Sequence, residues 1–287
     1  MNKFEYLARL TTKNFTVMQR LNPIKLPTII VIVTFILFAT CKKDNESTEI
    51  DVDFKPEKLE VDYGGGTVED IDGNVYKTVF IGEQEWMAEN LKTTRYRDGS
   101  DIDYPEDFTS WANNTSGAYG WYKDDESNKE LFGAVYNWYA VANESQLCPP
   151  GWSVPDDGDW SALLNYLTKK YSLSNHRDNT GGVGNRLKSC LQVNSPLGST
   201  CATADHPRWN KHDDHYGFDD FNFSALPIGS RSGVNDYISN PGAYVHWWSF
   251  TSDGAEKAFY RYITFDNGAL FSYSSNKNNG YAVRCVR

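Results

Sequence analysis

The feature that most constrains this chain is an apolar run of about 12 residues, Thr28 to Ala39, which lies two positions before Cys41. The run follows a leader with five basic residues and one acidic residue. A membrane-spanning helix needs about 20 apolar residues, so this run is better suited to a secretory signal. Residues 1–40 are therefore predicted to be a signal peptide, and the folded domain must follow them. The alternative is a buried core helix.

The residues around Cys41 predict lipid attachment. Phe38-Ala39-Thr40-Cys41 resembles a lipobox, which directs diacylglycerol to the cysteine and cleavage before it, although Leu37 stands one place early and Thr40 replaces the usual small residue. The next residues, Lys42 to Glu46, resemble the surface-export signal of Bacteroidetes lipoproteins. We expect a lipid-anchored protein on the surface of a bacterial outer membrane, with the membrane as its partner through the lipid. Met18 is an alternative start.

Charge and aromatic content limit the choice of partners. The chain has a net charge of −10, and its leader is basic, so the rest of the chain is strongly acidic. An acidic body without clustered Lys and Arg argues against nucleic acid as a partner. Aromatic residues make up 15% of the chain, which favours a β-rich domain or an aromatic binding surface.

Local patterns predict the organisation of the mature chain. Residues 41–69 are polar and lack periodicity, as expected of a lipidated cysteine followed by a flexible tether. Residues 172–245 are rich in loop-forming residues. The predicted elements are a strand at 75–81, a helix with apolar spacing at 134–142, a helix from Asp156 to Lys170 that buries Trp160, Leu163, Leu164 and Leu167, a hairpin at 259–274 around Asn267-Gly268, and a final strand at 281–286.

Four cysteines remain when Cys41 is set aside. An even number in an exported chain favours disulfides, and four cysteines allow three pairings. Cys190 and Cys201 are close in sequence and would staple one loop, which would leave Cys148 to pair with Cys285. Buried free thiols are the alternative.

Several segments, in order, resemble the Fibrobacter succinogenes major paralogous domain family. They lie within residues 70–287 and include Phe132 to Ala142, Cys148 to Trp160 and Tyr281 to Arg287. The resemblance implies an α+β, C-type lectin-like fold with small antiparallel sheets, two helices and long loops. It also implies the Cys148–Cys285 pairing. It implies no established activity.

Searches for metal and catalytic motifs leave no strong candidate. The motifs of calcium-dependent lectins are absent, and Trp209-Asn210-Lys211 has Lys where an acid would stand. Two sets of side chains that match no known motif could supply metal ligands, but we predict neither a metal nor a cofactor. They are the histidines His206, His212 and His215, and the aspartates Asp213, Asp214, Asp219 and Asp220. Hydrolase elbow, zinc-protease and P-loop motifs are also absent, so we do not expect an enzyme.

The leading functional hypothesis is a non-catalytic binding or adhesion module for a glycan or a protein. Its ligand is expected at residues 172–245 and the edge of the terminal hairpin, because aromatic rings there suit recognition. The candidate contacts are Trp209, Tyr216, Tyr237 and Trp247. The alternatives are a carbohydrate-active or other enzyme, and a structural component of envelope or surface assemblies.

The lipid-anchor hypothesis predicts the behaviour of one variant. Replacing Cys41 with Ala removes the only atom to which diacylglycerol would attach, so the protein should leave the membrane fraction. Cell fractionation with immunoblotting measures this. A Cys41→Ala protein that stays in the membrane would show that the apolar run is itself the anchor.

Overall fold

The computed structural model describes residues 57–60, 64–235 and 241–287. The predicted signal, Cys41, Met18 and Tyr237 lie outside the described residues. Within the described part of the chain, none of the helices combines the length and apolar character needed to cross a membrane. The architecture is α+β, with three small antiparallel sheets and a few helices, as the coarse fold class predicted.

The first sheet contains β1 (Thr67–Glu69), β2 (Val75–Ile81) and β3 (Gln84–Met87) in that order. The predicted strand at 75–81 is confirmed. The turn before it is shaped by Asp70, whose carboxylate accepts hydrogen bonds from the backbone N–H groups of Asp72 and Asn74. β1 lies inside the predicted tether and pairs with β2, so ordered structure begins before Asp70.

Short elements fill the middle of the chain: α1 (Phe108–Asn113), β4 (Tyr119–Gly120), α2 (Lys129–Phe132), β5 (Val135–Tyr136) and α3 (Trp138–Val141). The helix predicted at 134–142 is wrong except for the single turn of α3. The backbone at Tyr136 bonds to Tyr281 instead of a helical neighbour, and Asn137 caps the turn by accepting from the N–H of Ala140. Pairing with distant segments overrides the local helical spacing here.

The long helix α4 (Asp157–Lys170) confirms the second helix prediction. Asp156 is its N-cap and exchanges side chain to backbone hydrogen bonds with Asp159, which satisfies two free N–H groups. Trp160, Leu163 and Leu167 are buried as predicted. Leu164 is only half-buried, so its predicted burial is corrected.

The loop-rich stretch contributes to the core. It contains α5 (Val183–Leu187), all of whose residues are buried, and the buried rings of Phe218, Phe221 and Phe223. The sequence patterns predicted a core formed by the helices and the hairpin alone. The structure corrects this prediction, because residues of the loop-rich stretch are also part of the core. Long loops can be buried because hydrogen bonds satisfy their backbone, such as those from Ser189 N–H to Ala225 and from Trp209 N–H to Leu191.

The last sheet contains β6 (Tyr244–Asp253), β7 (Lys257–Thr264) and β8 (Phe271–Asn276). The predicted hairpin is confirmed, but its loop is longer than a two-residue turn. Asn267 and Gly268 are buried, and a Cβ at Gly268 would stand 1.9 Å from the carbonyl oxygen of Asn179. Glycine is needed there because another backbone approaches closely. β6 was not predicted.

Two disulfides close the domain, Cys148–Cys285 and Cys190–Cys201, and both predicted pairings are confirmed. The terminal segment, residues 281–287, is extended as predicted but pairs by single bridges with several strands. Its bridges join Tyr281 to Tyr136, Ala282 to Trp247 and Val286 to Trp86. The segment therefore joins all three sheets.

The packing of α4 gives a test with an internal control. Leu163→Ala should lower the free energy of unfolding by about 2–5 kcal/mol, because the side chain is fully buried and its loss leaves a cavity. Leu164→Ala makes the same chemical change one residue along, at a half-buried position, and should cost clearly less. Urea unfolding of both variants measures the difference. Equal losses would contradict this placement of the helix.

Candidate functional site

One side of the last sheet presents aromatic rings to solvent. Alternate residues of β6 and β7, such as Val245 and Ile263, are completely buried in the core, so their neighbours face the opposite side. We call that opposite surface the aromatic face. It consists of Tyr244, His246, Tyr260, Tyr262, Phe271 and Tyr273.

Strand register brings these rings into contact across the three strands. His246 stands opposite Tyr262, which in turn stands opposite Phe271. The rings of Tyr262 and Phe271 stack with centroids 4.8 Å apart, and Tyr273 lies 6.0 Å from Tyr262. Cross-strand aromatic pairs of this kind stabilise a sheet and hold one another in place.

The buried rings of Tyr281 and Trp248 support the aromatic face where it meets the rest of the domain, at His246 and Tyr260. Tyr281 packs 4.9 Å from His246 and 4.4 Å from Trp248, measured between ring centroids. Trp248 is fixed by a 2.8 Å hydrogen bond from its indole N–H to the carbonyl oxygen of Tyr136. The exposed rings therefore sit on a rigid base.

Exposure increases toward the outer strands. The side chain of Tyr273 on β8 is 60% exposed and that of Tyr244 on β6 is 41% exposed, whereas the rings between them are half-buried. Within the described residues, no hydrogen-bond partner is found for the face hydroxyls, which we define as those of Tyr244, Tyr260, Tyr262 and Tyr273. Burial and neighbouring tyrosines raise the pKa of Tyr260 and Tyr262, so these hydroxyls keep their protons and can donate as well as accept.

The aromatic face has no formal charge at neutral pH. Its one ionisable base, His246, is enclosed by the rings of Tyr260, Tyr262 and Tyr281. Removal from water lowers the pKa of His246 to about 4, so its imidazole is neutral. The surface combines rings and hydroxyl groups, and none of the six residues that form it is charged at neutral pH.

The model of the Fibrobacter succinogenes major domain matches residues 79–287, which is well over half of the chain. The chain belongs to this family. No curated protein and no solved structure matches it. The match covers the predicted motifs from Phe132 to the terminal segment, and it includes every residue of the aromatic face.

In this Fibrobacter succinogenes major domain, three of the four aromatic residues predicted as ligand contacts are core residues, and the fourth, Tyr237, lies outside the described residues. Trp209 is 1% exposed and donates its indole N–H to the carbonyl oxygen of Ala225, while Tyr216 and Trp247 are also buried. Their rings have no face open to a ligand, which corrects the expectation for these residues. On β7 alone, Tyr260 and Tyr262 alternate with the buried residues Arg261 and Ile263, which is the pattern of a strand with two different sides.

Several of the histidines and aspartates considered as metal ligands have structural partners in this domain. The rings of His212 and His215 pack 4.9 Å apart, and Nδ1 of His215 lies 3.1 Å from the amide nitrogen of Asn185. Asp220 pairs with Arg186 inside the protein. Within the described ranges, no group of three or more His, Cys, Asp or Glu side chains is placed to hold a metal ion.

Two cavities lie away from the aromatic face. One, of about 360 Å³, is lined by Arg97, Leu147, Val154 and Phe250, among others. Arg97 donates to the carbonyl oxygens of Cys148, Pro149 and Trp152, so most of its donors are occupied by backbone. The other, of about 530 Å³, runs along Gly64, Gly65 and Gly66. Neither lining contains a histidine or a free thiol.

The lowered pKa values of two histidines predict an acid-sensitive fold. Burial lowers the pKa of both His246 and His215 to about 4, and nearby Lys188 adds to the effect at His215. The unfolded chain then binds more protons between about pH 6.5 and 4, so stability is present above that range and is lost as pH falls through it.

Urea unfolding at several pH values between about 7 and 4.5 tests this assignment. His246→Phe keeps a ring in place and should reduce the loss of stability on acidification, and adding His215→Gln should reduce it further. His176→Gln alters an exposed histidine and serves as the control. Identical pH slopes in all the proteins would contradict the assignment.

Proposed function

We propose that this protein is a lipid-anchored, surface-exposed binding module without catalytic activity, and that the aromatic face is its ligand-binding surface. Membership in the family suggests a surface protein. The proposed anchor is Cys41, after cleavage of residues 1–40, with display on the outer membrane. The observation that carries the binding proposal is the set of ordered, partly exposed rings on β6, β7 and β8.

Preorganisation favours binding at the aromatic face. Tyrosine rings provide contact area while fixing few rotatable bonds, and here neighbouring rings already restrict them. A ligand would therefore lose little free energy to the ordering of Tyr262 and Phe271 when it binds. The face hydroxyls add directional hydrogen bonds.

The best-placed reactive groups favour a structural role. Lys188 is fully buried, and its ammonium group donates to the side-chain oxygen of Asn185 and to the carbonyl oxygens of Phe265 and Asn267. These bonds tie α5 to the loop between β7 and β8. All the described cysteines are in disulfides. This pattern supports a binding module over a carbohydrate-active or other enzyme.

We also propose that the domain is a variant of the C-type lectin-like fold. The support is the disulfide from Cys148, just before α4, to the terminal segment at Cys285, together with a small antiparallel sheet and long buried loops. Such a fold holds its sheet rigidly while its loops and surfaces vary.

The way the domain begins is compatible with display on a tether. Leu59 packs against the core, and the carbonyl oxygen of Glu57 accepts a hydrogen bond from Arg186. Residues from the proposed anchor to this point would act as the flexible spacer.

Removing one exposed ring tests the binding surface. Tyr273→Ala deletes the most exposed ring of the aromatic face, and Phe250→Ala deletes a ring that is 50% exposed outside it. Full-length protein in detergent should be retained on an array carrying neutral glycans, acidic glycans or extracellular proteins. Tyr273→Ala should reduce retention by about 3- to 10-fold, while Phe250→Ala should not.

The same array distinguishes the alternatives. Equal retention of Tyr273→Ala and Phe250→Ala would show that the ligand does not bind at the aromatic face. Conversion of an arrayed glycan into a shorter product would indicate an enzyme. A protein that no surface retains would favour the structural role in envelope or surface assemblies, and would contradict the binding proposal.

A further inference from the structure

We propose that the ligand of the aromatic face is an uncharged glycan chain that lies across β6, β7 and β8. This inference rests on the proposed function and narrows it to one class of ligand. It follows from three properties of the surface, namely the absence of charged residues among its rings, the continuous contact between those rings, and its hydroxyl groups.

Charge complementarity favours a neutral ligand. The alternating positions that form the face contain rings together with Thr264 and Ser275, and the imidazole of His246 is neutral above its lowered pKa. None of the residues that form the face is a cation, and the two charged side chains that act on Tyr262, Arg177 and Asp266, are opposite in sign. An acidic glycan would therefore meet no net positive charge at the rings, in a strongly acidic protein. Desolvating its carboxylates or sulfates without partners would be costly.

Shape favours an extended chain over a single buried sugar. Adjacent strands lie about 4.8 Å apart, so rings on neighbouring strands can touch. The ring centroids of Tyr262 on β7 and Phe271 on β8 are 4.8 Å apart, and those of Tyr260 and Tyr262, two positions apart on β7, are 5.8 Å apart. The ring contacts therefore continue both across and along the strands. Both cavities described above are lined by other residues. A surface on which aromatic rings continue from one strand to the next can contact several sugar rings in succession.

The chemistry of pyranose rings matches both parts of this surface. The C–H groups on the flat side of a sugar ring are apolar and carry a slight positive charge, so they stack on the negative face of an aromatic ring. Sugar hydroxyls project from the edge of the ring and would meet the face hydroxyls, which can donate and accept. Tyr244 and Tyr273 supply exposed rings on opposite outer strands.

A protein ligand is less well matched. Protein interfaces surround an apolar centre with a polar rim, and charges fix their orientation and specificity. The rings of the aromatic face offer hydroxyl groups, and none of the residues that form the face is charged at neutral pH. A protein ligand is therefore treated as an outcome of the test.

Affinity gel electrophoresis of the full-length protein in neutral detergent tests the inference. The neutral probes are laminarin, hydroxyethyl cellulose and galactomannan, and the acidic probes are polygalacturonate and heparin. At least one neutral polysaccharide should retard the protein, and neither acidic one should. Binding should change little between about 0.05 and 0.5 M salt, because no ion pair is made. It should also change little between about pH 5.5 and 8, because His246 stays neutral.

Four variants identify the contacts. Tyr273→Ala and Tyr244→Ala should each weaken binding by about 3- to 10-fold. Tyr273→Phe keeps the ring and should lose less, which separates stacking from the hydroxyl group. Phe250→Ala, at an exposed ring outside the face, should bind like the unaltered protein. Urea unfolding checks that each variant is folded.

The outcomes separate this inference from the proposed function. One outcome is that no neutral polysaccharide binds, while an arrayed protein or acidic glycan binds the unaltered protein and not Tyr273→Ala. The proposed ligand class would then be wrong, and the proposed binding surface would be supported. If a neutral polysaccharide binds all variants equally, the surface is wrong and both proposals fail. If the polysaccharide is shortened during the experiment, the protein is an enzyme and both proposals fail.

Discussion

The guanidinium of Arg284 is the interaction on which the rest of this structure depends. It is fully buried, lies 4.2 Å from the ring centre of Phe223, and donates to the carbonyl oxygen of that residue and to Oδ1 of Asn90. Burial lowers its pKa to about 9, which still leaves it charged at neutral pH. A buried charge is costly without hydrogen-bond acceptors, and both acceptors of this guanidinium come from distant parts of the chain, so the loop at Phe223, the loop at Asn90 and the terminal segment must assemble together. Trp247 is recruited into the same network, because its indole N–H also donates to Oδ1 of Asn90.

The terminal segment transmits this constraint to all three sheets and to the aromatic face. One residue after Arg284, Cys285 forms the disulfide to Cys148 and so fixes the approach to α4. Three residues before it, Tyr281 pairs with Tyr136 and its ring stacks against that of His246. The aromatic face is therefore held by the same short segment that closes the core. This explains how a surface of exposed rings can be rigid although its outer strand, β8, pairs on only one side in the described structure. Rigid rings are the property that recognition by stacking requires.

In this protein, sequence patterns do not predict which aromatic side chains are buried and which are exposed. A strand with one polar face reveals its buried side by alternation, as β2 does. In β6, both sides carry aromatic residues, so Trp247 and Trp248 look alike in the sequence although they belong to opposite faces of the sheet. The same ambiguity placed Trp209 on a binding loop, whereas its ring is covered by the buried loops around α5. Burial of such rings depends on what packs over them, which is information from distant parts of the chain.

The sequence by itself determined the features that depend on neighbouring residues or on the number and spacing of the cysteines. It predicted α4 from its cap and apolar stripe, β2 and the terminal hairpin from alternation, and both disulfides from the count and spacing of cysteines together with the family resemblance. Only the tertiary structure decided the conformation of residues 134–142, the existence of β6 and the position of the aromatic face. In each case the deciding contacts are long-range, such as the backbone bond from Tyr136 to Tyr281, and a local window of sequence does not contain the partner. Local free-energy differences of about 1 kcal/mol or less per residue are outweighed when a distant strand satisfies the backbone and buries the rings.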